Sequence, residues 1–166
     1  MACLGVHFAL TEDQVQLLRE GDDASRLEYL QETLEPHFFD VEPDAKVETD
    51  KAWDAIHRCL TDGTLRDDGG AYPLNHAILG GETVYSGDDY IMSLKSPAQV
   101  RDVAVALRTV TQDLLRSVYD QIDPDDYGSE LSDDDFTYTW EWLTGIQVFW
   151  ELASQRGRYV LFTADQ

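Results

Sequence analysis

The stretch Ser132–Gly157 constrains the fold more than any other. Ser132, with Asp135 three residues on, reads as a helix start, because a side-chain oxygen there can accept from amides that the first turn leaves unpaired. Gly157 suits the stop, and roughly Asp133–Arg156 between them is the longest predicted helix. Phe136, Trp140, Leu143, Ile146, Phe149, Trp150 and Ala153 spread its apolar surface too widely for a helix on the outside of a domain. The rest of the chain has to cover it.

The other segments place strands at both ends and in the middle. Cys3–Leu10 alternates, with Leu4, Val6, Phe8 and Leu10 on one side and Cys3, Gly5, His7 and Ala9 on the other. Ala45–Thr49 is a short strand, Glu82–Ser86 and Tyr90–Lys95 form a hairpin about Gly87-Asp88-Asp89, and Arg158–Ala164 is a final strand. Thr11 and Gln14 resemble a capping box for a helix running to Gly21; Asp22 or Asp23 starts a second helix, which Pro36 ends. His37–Asp44 reads as a loop pinned by Phe38 and Phe39. Pro73 opens a short helix that Gly80-Gly81 stops, Ser96-Pro97 opens another, and Gln112–Ile122 is a further one. Helices grouped between strands predict an α+β domain with a mainly antiparallel sheet. A chain of 166 residues is long enough for one core and short for two, so residues 1–166 are expected to be a single domain.

Charge narrows the partners. Twelve basic against thirty-three acidic residues leave a net charge of −21, which repels nucleic-acid phosphates and anionic membrane surfaces and attracts a basic protein or a cation. No apolar run reaches the length of a membrane span, and the opening MACLGVHFAL lacks the basic region of an export signal, so a cytoplasmic location is expected. Cys3 and Cys59 lie in apolar stretches and read as buried thiols.

The suggestive polar side chains cluster around Asp50–Gly63, DKAWDAIHRCLTDG. Asp50 is the expected cap of this helix, and Ala52, Trp53, Ile56, Cys59 and Leu60 form its apolar stripe. His57 borders the stripe one turn beyond Trp53. Asp54 and His57 have a spacing that can serve one metal, but no third ligand accompanies them; His57 bonded to a backbone carbonyl and Asp54 paired with Arg58 is the simpler arrangement, and no metal site is expected. His57 and His76 are the candidate acid-base pair, since imidazoles exchange protons near neutral pH, with Trp53 and Asn75 as candidate ligand contacts. No nucleophile elbow or phosphate-binding glycine loop completes that set. Asp123–Asp134 partly matches a calcium loop, but Tyr127 takes a liganding position and Asp134 stands where a long Glu closes such sites. The segment TLRDDGGAY, with Asp67–Gly70 at its tip, reads as a connection.

DKAWDAIHRCLTDG, YPLNHAILGG and YIMSLKSPAQVRDVAVAL together resemble the YfbM-like family of bacterial domains of unknown function, as do the opening MACLGVHFAL and the closing FWELASQRGRYVLF. Asp88-Asp89 before Tyr90 and the acidic Asp123–Asp135 region depart from the family's pattern. The resemblance implies a single cytosolic α+β domain without an established reaction, cofactor or partner. Charge and the incomplete catalytic set then favour a non-catalytic protein-binding module that engages a basic partner, an antitoxin-like inhibitor being one form. The alternative is a small hydrolase or lyase using His57 and His76 in a pocket beside Trp53. No cofactor is expected on either reading.

Overall fold

Five strands, β1 (Gly5–Leu10), β2 (Lys46–Asp50), β3 (Glu82–Thr83), β4 (Tyr90–Lys95) and β5 (Tyr159–Asp165), form one sheet in the order β2-β1-β5-β4-β3. Every pairing is antiparallel. The structure, a computed structural model, describes residues 3–166; Met1 and Ala2, the first residues of the stretch read for an export signal, lie outside it. The helices are α1 (Glu12–Arg19), α2 (Asp23–Tyr29), α3 (Trp53–Leu60), α4 (Pro97–Leu107), α5 (Gln112–Tyr119), α6 (Pro124–Tyr127) and α7 (Asp133–Gln155). None of them is long and apolar enough to cross a membrane. The chain is an α+β domain.

Period-two alternation sorts the sheet residues onto two buried faces. His7, paired with Phe162, and Ser93, paired with the same Phe162, share one face. That face receives α3 and α7: the His7 ring lies 5.9 Å from Phe149 and 6.0 Å from Trp150, and Phe162 lies 5.7 Å from Trp53. Phe8 stands on the other face, its ring 5.4 Å from Phe38. Ser132 caps α7 as its sequence implies, accepting from the Asp135 amide at 3.1 Å, and Leu143, Ile146 and Trp150 are fully buried.

Three local expectations are corrected. Pro36 does not end the second helix, and His37–Asp44 is not a loop: wide π-helical turns run through Leu30–Leu34 and His37–Val41. A proline lacks the amide that the ordinary helical bond requires, and the wider turns carry the chain past it to bury Phe38 against Phe8. Asp50 does not cap α3. It ends β2 with φ +46, and the turn is closed instead by the Ala52 amide bonding to Thr49 O at 3.0 Å, so the helix begins at Trp53. The helix expected after Pro73 is a single 3-10 turn, Leu74–His76.

Gly5 is required by this strand-to-helix corner. A Cβ there would stand 2.7 Å from Trp53 Cδ1 and also meet Thr49. Gly5→Ala is therefore expected to cost about 1–3 kcal/mol through overpacking. Urea denaturation checks it: the midpoint should fall with the slope unchanged.

Candidate functional site

Helix α3 delivers Trp53 and His57 to the sheet face that carries His7. Trp53 is buried and donates its indole N–H to Cys3 O at 2.9 Å, which fixes the ring at the corner between β1 and α3. His57 is fully buried, and its Nε2 lies 2.7 Å from Arg66 O. A carbonyl only accepts, so Nε2 carries the hydrogen and Nδ1 is bare, with no hydrogen-bond partner. Burial, reinforced by the nearby Lys95 charge, pushes His57 below the usual histidine range, although the bond to Arg66 O opposes it. His57 thus ties α3 to the segment after Gly63.

His76 sits on the 3-10 turn, half-buried. Its Nδ1 lies 2.7 Å from Asn75 Oδ1, and its ring meets Tyr72 edge-on at 5.0 Å. Burial again lowers its pKa. Asn75 therefore pairs with His76 itself. No hydrogen bond joins His57 to His76, and the cavity that Trp53 borders, about 420 Å³, is lined by Asp54, Tyr127, Asp135 and Tyr138 and by neither histidine. Asp54 turns away from His57 to Arg58, Nε to Oδ1 2.6 Å. Among the described residues no group of three His, Cys, Asp or Glu side chains is placed to hold a metal. In the acidic loop Asp123 caps α6 and Asp126 binds Arg58.

A different cavity, also about 420 Å³, is lined by residues of the strands, the π-helical segment and α7. Glu35, Glu48, Asp50 and Asp165 line it with Phe39, Tyr90 and Trp142. Among the described residues no Lys, Arg or His contributes to its wall. Tyr90 donates its hydroxyl to Glu35 Oε1 at 3.3 Å. Burial raises the Glu35 pKa, and Asp165 adds to that rise. The Tyr90 hydroxyl, buried beside Glu35, is pushed up to about 12. At the rim, Lys46 Nζ pairs with Glu48 at 3.0 Å and lies 4.3 Å from the Phe39 ring centroid. Among the described residues Glu35, Asp50 and Asp165 form no ion pair. These side chains come from β1, β2, β4, β5, α7 and the π-helical segment, so no sequence window brings them together.

A five-stranded antiparallel sheet packed with helices, with an acidic and aromatic cavity at one end, defines a small α+β domain. The chain belongs to the family described as domain of unknown function DUF1877, whose model matches residues 1–163. Among solved structures it is similar to the Escherichia coli protein of unknown function YfbM, with a TM-score of 0.64 and 18% identity over 97% of this chain and 99% of that one. It is a YfbM-like domain, as the resemblance of its sequence implies. Curated proteins give no match.

Proposed function

We propose that this domain is a binding module for a basic protein, and that the cleft between Glu35 and Asp165 receives a lysine or arginine side chain of that partner. The observation that carries this reading is the cleft's composition: Glu35, Asp50 and Asp165, which form no ion pair among the described residues, walled by aromatic rings. A cation in such a site gains from the carboxylate charges and from the negative faces of Tyr90 and Trp142. The rim contact of Lys46 with Phe39 and Glu48 is the same chemistry made within the chain. The net charge of −21 supplies long-range attraction that speeds encounter and weakens with salt. On this reading the cleft holds a cation and releases it; no bond is made or broken.

A short lysine- and arginine-rich peptide serves as the probe, titrated calorimetrically at about 0.05 M and about 0.5 M salt. The pair Glu35→Gln and Asp165→Asn is expected to weaken binding at least about tenfold, roughly 1.4 kcal/mol. An equal loss from Asp133→Asn with Asp134→Asn, remote acids that face water, would reduce the effect to general charge attraction and overturn the cleft.

A further inference from the structure

On the face of the sheet turned toward α3, β4 carries a second constellation. The chain has three lysines, and one of them, Lys95, is completely buried. Its Nζ touches three oxygens: Ile78 O, Ser93 O at 3.1 Å and Ser93 Oγ at 3.0 Å. No carboxylate pairs with it among the described residues. An ammonium without a counter-charge is costly to bury, so burial holds Lys95 well below the usual lysine range. Deprotonated, the amine has two hydrogens and one lone pair. Two carbonyl oxygens take the hydrogens, which leaves the lone pair for the Ser93 hydroxyl.

Ser93 lies on the same side of β4, two residues away, because strand side chains alternate. Its Oγ also lies 2.8 Å from Leu79 O and 3.0 Å from Gly80 O, so its single hydrogen has three acceptors within reach. Ser93 contributes to the wall of a cavity of about 560 Å³ between the Leu65–Asp68 stretch and the β3–β4 hairpin. Leu65, Leu79, Tyr85 and Ile91 make much of that wall apolar. Ser93, 3% exposed, contributes to the cavity wall, whereas the completely buried Lys95 does not. The histidines near Lys95 are His7, His57 and His76, each lowered by burial and therefore neutral near pH 7; the charged groups across the cavity are Arg66, Asp67 and Asp68.

We propose that Ser93 and Lys95 form a serine–lysine dyad in which Ser93 is the nucleophile and Lys95 its general base, acting on a small uncharged ester admitted by this cavity. Lys95 Nζ takes the Ser93 hydroxyl proton as Oγ bonds to the ester carbonyl carbon and the π pair moves onto the carbonyl oxygen. Collapse breaks the bond to the leaving alkoxide, which takes the proton back from Lys95. Water then repeats the sequence on the acyl-serine and releases the acid. This cavity shares only Tyr90 with the cation cleft, and the dyad stands whether or not that cleft binds a basic partner.

A fluorophosphonate ester tests the dyad, since Ser93 Oγ would form a bond to phosphorus as fluoride leaves, and peptide mass mapping locates the adduct. One adduct on Ser93 is expected, absent in Ser93→Ala and retained in Ser86→Ala, since Ser86 lines the same cavity. No adduct on the folded protein, or an adduct elsewhere, overturns the proposal. Lys95→Met should label at least about a hundredfold more slowly while still melting cooperatively; labelling at the wild-type rate overturns the base. If Lys95→Met does not fold, the wild-type rate against pH decides: a level rate from about pH 7 to about pH 9 supports a base already deprotonated, and a rise of about tenfold per unit through that range overturns it.

Discussion

Acidification is expected to cost the protein about 2 kcal/mol at pH 5 and about 4 kcal/mol at pH 3 through His7 alone. His7 is fully buried, and its Nε2–H donates to Ala77 O at 2.8 Å while Nδ1 has no partner. Phe149, Trp150 and Phe162 surround the ring. A proton on Nδ1 would be a buried charge among hydrocarbon, so desolvation, with a further contribution from Lys95, lowers the pKa to about 3. The unfolded chain binds this proton near pH 6.5 and the folded chain only near pH 3. Protons therefore favour the unfolded state between those values, and stability falls as pH falls from 6.5.

His57, His76 and Lys95 are lowered as well and add losses of the same sign. Glu35 and Asp54 act oppositely, because burial raises their pKa values and the folded chain takes their protons more readily. Urea denaturation at pH 7 and pH 5 measures the sum, and His7→Gln, whose amide can still donate to Ala77 O, isolates the histidine. The variant should lose about 2 kcal/mol less than the wild type over that interval. An unchanged pH dependence would show that His7 is not the group responsible.

These same histidines show what could be read in the sequence and what could not. The alternation of Cys3–Leu10 places His7 among small residues, and the Trp53–His57 spacing places His57 beside an apolar stripe; both are where the chain folds them. The tautomers depend on Ala77 O and Arg66 O, which approach from segments seventy and nine residues away in sequence. Periodicity carries no information about such partners. Caps were legible because their bonds are local: the Thr11–Gln14 box and Ser132 form as their residue types imply, and a helix starts after Ser96.

Where a tertiary contact competed with a local rule, the contact won. Phe38 docking on Phe8 carried helical turns past Pro36, and the corner at Gly5 and Trp53 replaced the expected Asp50 cap. The acidic cleft was visible only as an excess of charge, because its walls are assembled from six separate segments. Ser93 and Lys95 did carry a local signal. Two polar residues two apart on an otherwise apolar strand share a face, and that face had to be buried once β4 lay inside the sheet.

The second large effect is expected at Arg58, where replacement by alanine should lower stability by about 3 kcal/mol. Arg58 is 3% exposed, although it belongs to the most soluble of residue types. Its guanidinium holds Asp54 within α3, Gly63 O just beyond the helix, and both the side chain and the backbone carbonyl of Asp126 in α6. It also lies 5.7 Å from the Tyr127 ring. One side chain thus joins α3 to the acidic loop. Alanine would strand the partly buried Asp54 carboxylate, whose pKa burial already raises, whereas Asp126 is more than half exposed and regains water. Adding Asp54→Asn to Arg58→Ala should therefore recover more stability than adding Asp126→Asn. Arg58→Lys keeps the charge but loses the fork that reaches four acceptor atoms on three residues at once, so it should remain well below the wild type. Amide exchange distinguishes a local from a global role: protection should fall first at residues 124–131 in Arg58→Ala, and a uniform loss across the sheet would mean that the arginine supports the whole core instead of this loop.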